Sequence, residues 1–419
     1  MSEYVPENWK NKTLDDITTV FSGGTPSRTN PEYYKGAIPW VKSGEVTKRF
    51  IYDTEEKISE TAVIESSARW VRRGSVLIAM YGATAGKTAK LMIDATVNQA
   101  VSAINAKKGE AYNDFLLYAL EHNCDQLLTT TQGSGQPNLS GQLIKNLHIA
   151  VPPLPEQQKI ATILSSVDDV IEKTRTQIDK LKDLKTGMMQ ELLTKGIGHT
   201  EFKDSPVGKI PVSWLVRSLG ETFSLASGGT PSRSNLNYFS TKTSAYPWVK
   251  TMDLNDGIIT ETDERITDKA IAESTCKILP AGTVLIAMYG GWNQIGRSGV
   301  LGLPAATNQA ICGLLPSKEI SSLFTNYWLI SARERWKSIA ASSRKDPNIT
   351  KQDVSEFLIA IPPQEEQDLI TEKLHQISLV ITRLAQKLWN YEHLKKALMQ
   401  DLLTGKVRVK LDSPEVAAA

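Results

Sequence analysis

Two stretches of the chain carry an apolar side chain once every seven residues. The first runs through Ile160, Val167, Thr174, Leu181 and Met188, with a second stripe at Ile163/Leu164, Val170/Ile171, Ile178, Leu184 and Leu192. The other keeps the same phase at Ile370, Ile377, Leu384, Tyr391 and Leu398, and at Leu374, Val380/Ile381, Leu388, Leu394 and Leu402. A stripe held in phase over four heptads is a coiled-coil seam; on a helix lying against its own domain it would drift with the 3.6-residue turn. Two such helices in one chain have each other as partner. The candidate interface is therefore Ile160, Val167, Ile171, Ile178, Leu181, Leu184 and Met188 against Ile370, Ile377, Ile381, Leu384, Leu388, Tyr391, Leu394 and Leu398. Helices of 35–40 residues reach ~55–60 Å. No domain hides that length, so they are expected to act as spacers, paired antiparallel.

Elsewhere the apolar runs are short. Val76–Tyr81 is too short for a buried helix and predicts a core strand, while 114–128 and 323–339 predict helices. The globular parts are expected to be mixed α/β, in the α+β class. Each long helix is led in by a Pro-Pro pair followed by Glu-Gln, at Pro152-Pro153…Glu156-Gln157 and Pro362-Pro363…Glu366-Gln367. The prolines favour extended backbone and the glutamate suits a helix N-terminus.

The whole pattern is written twice. Ser22-Gly23-Gly24-Thr25-Pro26-Ser27-Arg28 returns at 227–233, Pro39-Trp40-Val41-Lys42 at 247–250, and Val76–Gly82 at 284–290. Each copy opens on Pro-x-x-Trp, Pro6…Trp9 and Pro211…Trp214. A repeat of about 200 residues is a duplicated domain with its connector, far longer than the ~20–50-residue period of a solenoid. The expected layout is a first globular domain over 1–153, a spacer helix over 154–197, a second domain over 198–363, a second helix over 364–406 and a tail over 407–419. Trp40 and Trp248 are expected in the core.

Composition narrows the function. The 419 residues include 48 basic and 46 acidic side chains, so any basic surface must be local. Three scattered cysteines without CxxC spacing and five unclustered histidines imply neither a disulfide framework nor a zinc site. No apolar run is long enough to span a membrane, and a cytoplasmic protein is expected. Gly82-Ala83-Thr84-Ala85-Gly86-Lys87-Thr88 resembles a phosphate-binding loop but is one residue short between its glycines. Its second copy, Gly291 to Gly296-Arg297-Ser298, has the spacing and lacks the lysine. Both still offer one cation beside a hydroxyl, suited to a nucleic-acid phosphate. Glu55-Glu56-Lys57 ends like a nuclease motif without its Pro-Asp, and no Ser/His/Asp set recurs. No catalytic residue and no metal ligand is assigned.

Taken in order, the Pro-x-x-Trp openings, Ser-Gly-Gly-Thr-Pro-Ser, Pro-Trp-Val-Lys, the Pro-Pro-x-x-Glu-Gln lead-ins and the helices ending in Leu-Leu-Thr resemble the specificity subunit of type I restriction–modification systems. The resemblance covers nearly the whole chain up to about Lys410. It implies a subunit without catalysis of its own, whose two target-recognition domains each read half of a bipartite, asymmetric site in double-stranded DNA. It also implies that the helices set the gap and dock two methyltransferase subunits, and that restriction (motor–nuclease) subunits complete the complex. S-adenosylmethionine, ATP and Mg²⁺ would then sit on those partners and none on this chain. Base readers are expected where the copies differ, as at Arg69/Arg72/Arg73 against Lys277/Ala281, at 83–90 against 291–298, and at 131–138 against 341–348. The candidate DNA contacts are Arg28, Lys42, Arg72, Tyr81, Lys87, Lys90, Gln132, Ser134, Gln136 and Asn138, with Arg233, Lys250, Tyr289, Arg297, Arg344, Lys345 and Asn348. The rival reading is a scaffold of two protein-binding modules on a coiled-coil ruler that touches no DNA.

Overall fold

A computed structural model of the chain describes residues 6–129, 138–341 and 348–411. Packing divides the chain into two units, 1–176 with 386–419, and 177–385. The division falls inside both long helices, so each unit keeps the first half of one and the second half of the other.

In the first unit a five-stranded sheet has the order Thr18–Ser22, Val101–Ala106, Val76–Ala79, Thr88–Leu91, Phe50–Ile51. All neighbours are antiparallel except the last pair. The central run Val76–Ala79 is buried on both faces, as its unbroken apolar sequence requires. Val76 and Ile78 face the core built on helix Asn113–Thr129, while Leu77 and Ala79 face a second core on the other side. A four-stranded sheet, ordered Glu56–Ile58, Ile38–Val41, Ala95–Val97, Trp70–Val71, carries Trp40. The second unit repeats the five-stranded sheet around Val284–Ala287, and its four-stranded sheet runs Phe239–Ser240, Glu264–Ile266, Tyr246–Val249, Ala306–Thr307, sharing three strand positions with the first and exchanging one edge. Trp40 pairs with Thr96 and Trp248 with Ala306 in the same parallel register. Both indoles are buried, and their N–H groups donate to the carbonyls of Gly24 and Gly229. The fold is the mixed class expected.

The double glycine of the repeated motif has a steric cause. A Cβ on Gly23 would stand 1.8 Å from the Val97 carbonyl oxygen, and one on Gly228 would stand 2.1 Å from that of Asn308. The Pro-x-x-Trp and Glu-Gln motifs also explain each other. Trp9 Nε1 donates to Glu156 at 3.1 Å, and Trp214 Nε1 donates to Glu366 at 3.0 Å. Gln157 bridges the backbone of Tyr112, Glu110 and Pro152, as Gln367 does for Ser321, Glu319 and Pro362. These contacts key the first turn of each long helix to its domain.

The long helices span Leu154–Lys195 and Gln364–Leu403. Within the first unit Asp168 meets Lys395 and Arg175 meets Glu392, so one helix rises as the other falls and the pair is antiparallel. Ile160, Ile171, Ile178 and Ile370 are buried. Val167, Leu181, Met188, Ile377, Ile381, Leu384, Leu388, Tyr391 and Leu398 are half-buried, as two-stranded seams leave them. Leu184 and Leu394 correct the expectation: they are 51 % and 48 % exposed. Seven residues on from Ile178 and Leu388 come Lys185 and Lys395, and these lysines occupy the seam by laying their stems along it.

The helix expected over 323–339 is two helices, Ser322–Ser331 and Arg333–Ala341. The break at Ala332 lets Trp336 turn inward, where it stacks on Phe357 with ring centres 3.8 Å apart.

Candidate nucleic-acid interface

The Gly-rich loops are set by the strands before them. Val76–Ala79 ends in Met80 and an exposed Tyr81, and Gly82 and Gly86 take positive φ to turn the chain back into Thr88–Leu91. The loop's amides close on its own carbonyls: Ala85 on Gly82, Gly86 on Ala79, Lys87 on Thr84. The second loop does the same, with Gln294 on Gly291, Gly296 on Ala287 and Arg297 on Gln294. The turn itself takes up these amides, and each loop also carries a side-chain cation that an anion could meet. Lys87 is exposed and Arg297 half-buried, and neither has an ion-pair partner among the described residues. Arg72 is likewise exposed and without an ion pair there. Tyr81 and Tyr289 are each 40 % exposed. Asn138 bridges to Tyr81, and Ile349, beside the half-buried Asn348, donates its amide to Met288. Gln132, Ser134, Gln136, Arg344 and Lys345 lie outside the described residues.

Five candidates are occupied elsewhere. Glu56 takes both Arg28, at 2.8 Å, and Lys42, at 2.9 Å. Glu264 takes Arg233, at 2.5 Å, and Lys250, at 2.7 Å. The Arg28 guanidinium covers the Tyr34 and Trp40 rings, and that of Arg233 covers Phe239 and Trp248. Hydrogen bonds from the arginine and then the lysine hold both glutamates below the usual carboxylate range. The same triad in both copies braces the four-stranded sheet. Lys90, on the helix-covered face of the sheet, pairs with Asp114 of helix Asn113–Thr129. These five are corrected from free contacts to internally paired ones, because each would have to give up a carboxylate to reach DNA.

Two features escaped the sequence. Trp292 and Met252 stand 48 % and 68 % exposed on the face of the second Gly-rich loop. The second feature is a part-buried charge cluster beside the seam of the first unit. Lys395 contacts Glu121 at 2.9 Å and Asp168 at 3.0 Å. Arg49 contacts the same two at 2.8 and 2.6 Å, the Asp168 contact being close enough for charge pairing but off the line of a hydrogen bond. The Tyr118 hydroxyl donates to Asp168 at 2.6 Å. Burial alone would push the Glu121 carboxyl up, but Arg49 and then Lys395 hold it below its ordinary value. In the second unit Lys185 forms no ion pair among the described residues; its ammonium lies 5.2 Å from the Tyr327 ring centre. Burial pulls it below the ordinary lysine value, with Asp256 offsetting part of that. Among the described residues no group of His, Cys, Asp and Glu is arranged to hold a metal, and no helix is long and apolar enough to cross a membrane.

The model of the type I restriction modification DNA specificity domain matches residues 6–183 and again 211–390. The chain belongs to that family. Relatives align end to end: the type I restriction enzyme MjaVIII specificity subunit of Methanocaldococcus jannaschii is 28 % identical, covering 97 % of this chain and 94 % of the relative. The MjaIX specificity subunit of the same organism is 27 % identical over 97 % and 95 %. Among solved structures, the type I restriction–modification S subunit from M. genitalium superposes with a TM-score of 0.65 at 14 % identity, covering 96 % of this chain and 97 % of that one. A chain from a structure of type I restriction–modification complex assembly and conformational transition gives 0.57 at 19 % identity, covering 96 % and 100 %. Both share the fold of this specificity subunit.

Proposed function

We propose that this specificity subunit reads a bipartite, asymmetric site in double-stranded DNA, one half with each globular domain, and performs no chemistry itself. One observation carries the proposal. Trp40/Trp248 and the Arg–Glu–Lys triads, common to both copies, are buried or internally paired, whereas the exposed tips of the two Gly-rich loops differ in length and in residues. Two modules of one scaffold with different exposed tips suit two different half-sites. Lys87 and Arg297 supply phosphate contacts. The antiparallel helices hold the half-sites at a fixed gap and dock two methyltransferase subunits, which bring S-adenosylmethionine. Restriction subunits using ATP and Mg²⁺ join that assembly in the cytoplasm.

The test is binding and methylation by the purified chain with and without its cognate methyltransferase subunits. The chain alone should show no methylation, cleavage or ATP hydrolysis, and the assembled complex should methylate one bipartite sequence. Lys87→Ala and Arg297→Ala should weaken binding to all sequences and make its salt dependence shallower by about one contact each. An assembled complex that retards no DNA would mean a protein scaffold instead.

A further inference from the structure

The two Gly-rich loops differ most at their tips. Gly82-Ala83-Thr84-Ala85-Gly86 becomes Gly290-Gly291-Trp292-Asn293-Gln294-Ile295-Gly296, two residues longer. Positive φ at Gly290, Gly291 and Gly296 lets the longer tip turn tightly. Beside it, Gln294 Nε2 lies 3.2 Å from Met252 Sδ. Counting from the repeated Pro-Trp-Val-Lys, Met252 stands where the first copy has Gly44. The second domain thus adds an indole and a thioether to a face that is glycine and alanine in the first. The core does not need that indole: Trp248 and Trp336 are buried, and Trp292 is 48 % exposed.

An exposed indole five residues before a cation that has no ion pair among the described residues calls for a surface both anionic and locally apolar. Polar base edges would lose hydrogen bonds under an indole face. The apolar group that a base pair shows in the major groove is the thymine 5-methyl. We infer that Trp292 is a specificity-determining residue of the second domain, packing its ring on a thymine methyl of the second half-site, with Arg297 on a neighbouring phosphate. This rests on the DNA-reading function proposed above and names the chemistry one domain reads.

The test uses the complex assembled with its methyltransferase subunits and duplexes carrying the mapped site. Each thymine is replaced singly by deoxyuridine, which removes the methyl and nothing else. One replacement in the second half-site should weaken wild-type binding about fourfold, the worth of burying one methyl group. The same replacement should leave the Trp292→Ala complex unchanged, Trp292→Phe should recover part of the sensitivity, and first-half thymines should respond identically in all three. Undiminished specific binding by Trp292→Ala, or a thymine sensitivity that persists without the indole, overturns the inference. So does a Trp292-dependent brightening of 2-aminopurine in the half-site, which would mean insertion between bases. A complex without sequence-specific binding fails earlier, at the DNA-reading function itself, and takes this inference with it.

Discussion

Lys185 and Lys395 occupy equivalent seam positions and should respond oppositely to the same substitution. Methionine keeps the unbranched stem and removes the charge. Lys395 is 13 % exposed and contacts two carboxylates at 2.9 and 3.0 Å. A unit charge pair at such separation is worth about 5–6 kcal/mol gross at an effective dielectric of 20. Desolvation offsets much of that, and Arg49 still holds both carboxylates after the change, so Lys395→Met should cost about 2–3 kcal/mol. Lys185 forms no ion pair among the described residues; it lies over the Tyr327 ring, a contact of about 0.5–1 kcal/mol, and Asp256 offsets only part of its burial. Its burial penalty disappears with the charge, so Lys185→Met should be neutral or stabilising by up to about 1 kcal/mol. A lysine whose folded-state value is depressed binds its proton less readily when folded, so stability rises with pH through the window below the ordinary lysine value. Lys185→Met should flatten that rise. Hydrogen exchange read separately over 154–176 and 177–195, at several urea concentrations, assigns each change to its unit. Equal losses in both variants, or a neutral Lys395→Met, would refute the reasoning.

The seam register makes a sharper contrast than helix propensity. Ile178→Ala should lose about 2–4 kcal/mol by opening a cavity, while the exposed Leu184→Ala should stay within about 0.5 kcal/mol; urea titration distinguishes them. Gly228→Ala forces a methyl onto the Asn308 carbonyl and should cost about 3 kcal/mol, measured by thermal unfolding, with a cost below 1 kcal/mol showing that the backbone yields there. Seven helix-favouring residues inserted after Thr176 and again after Ala385 preserve the heptad phase and both packing units. They add about 10 Å, so the gap between methylated half-sites should widen by about three base pairs at 3.4 Å per step; an unchanged gap in an active complex removes the helices from that role.

Much of this architecture was legible because it rests on local, repeated patterns. The heptads placed the long helices, and the duplicated Val76–Gly82 run placed the central strand of each domain. Leu184 and Leu394 were misassigned because any leucine near the stripe reads as seam, whereas continuing the period from Ile178 and Leu388 lands on lysine. Arg28 and Lys42 read as free cations because their shared partner, Glu56, lies 28 and 14 residues away and meets them through strand pairing. The cluster of Arg49, Tyr118, Glu121, Asp168 and Lys395 draws on segments hundreds of residues apart and has no signature in any one of them. Trp292 lay inside a stretch already marked as divergent, and the exchange of alanine for tryptophan at a loop tip was the signal that singles it out.

The central claim is that each globular copy reads its own half of the site. Exchanging residues 6–151 for the matching domain of a relative with a different target tests it directly, because the substitution replaces one set of exposed loops and leaves the second domain and its Trp292 loop as they are. Single-molecule mapping of methylated adenines across the host genome reads the outcome. One half-site should change to the relative's, the other should stay as it was, and the gap should be kept. A swap that altered both halves, or neither, would contradict it.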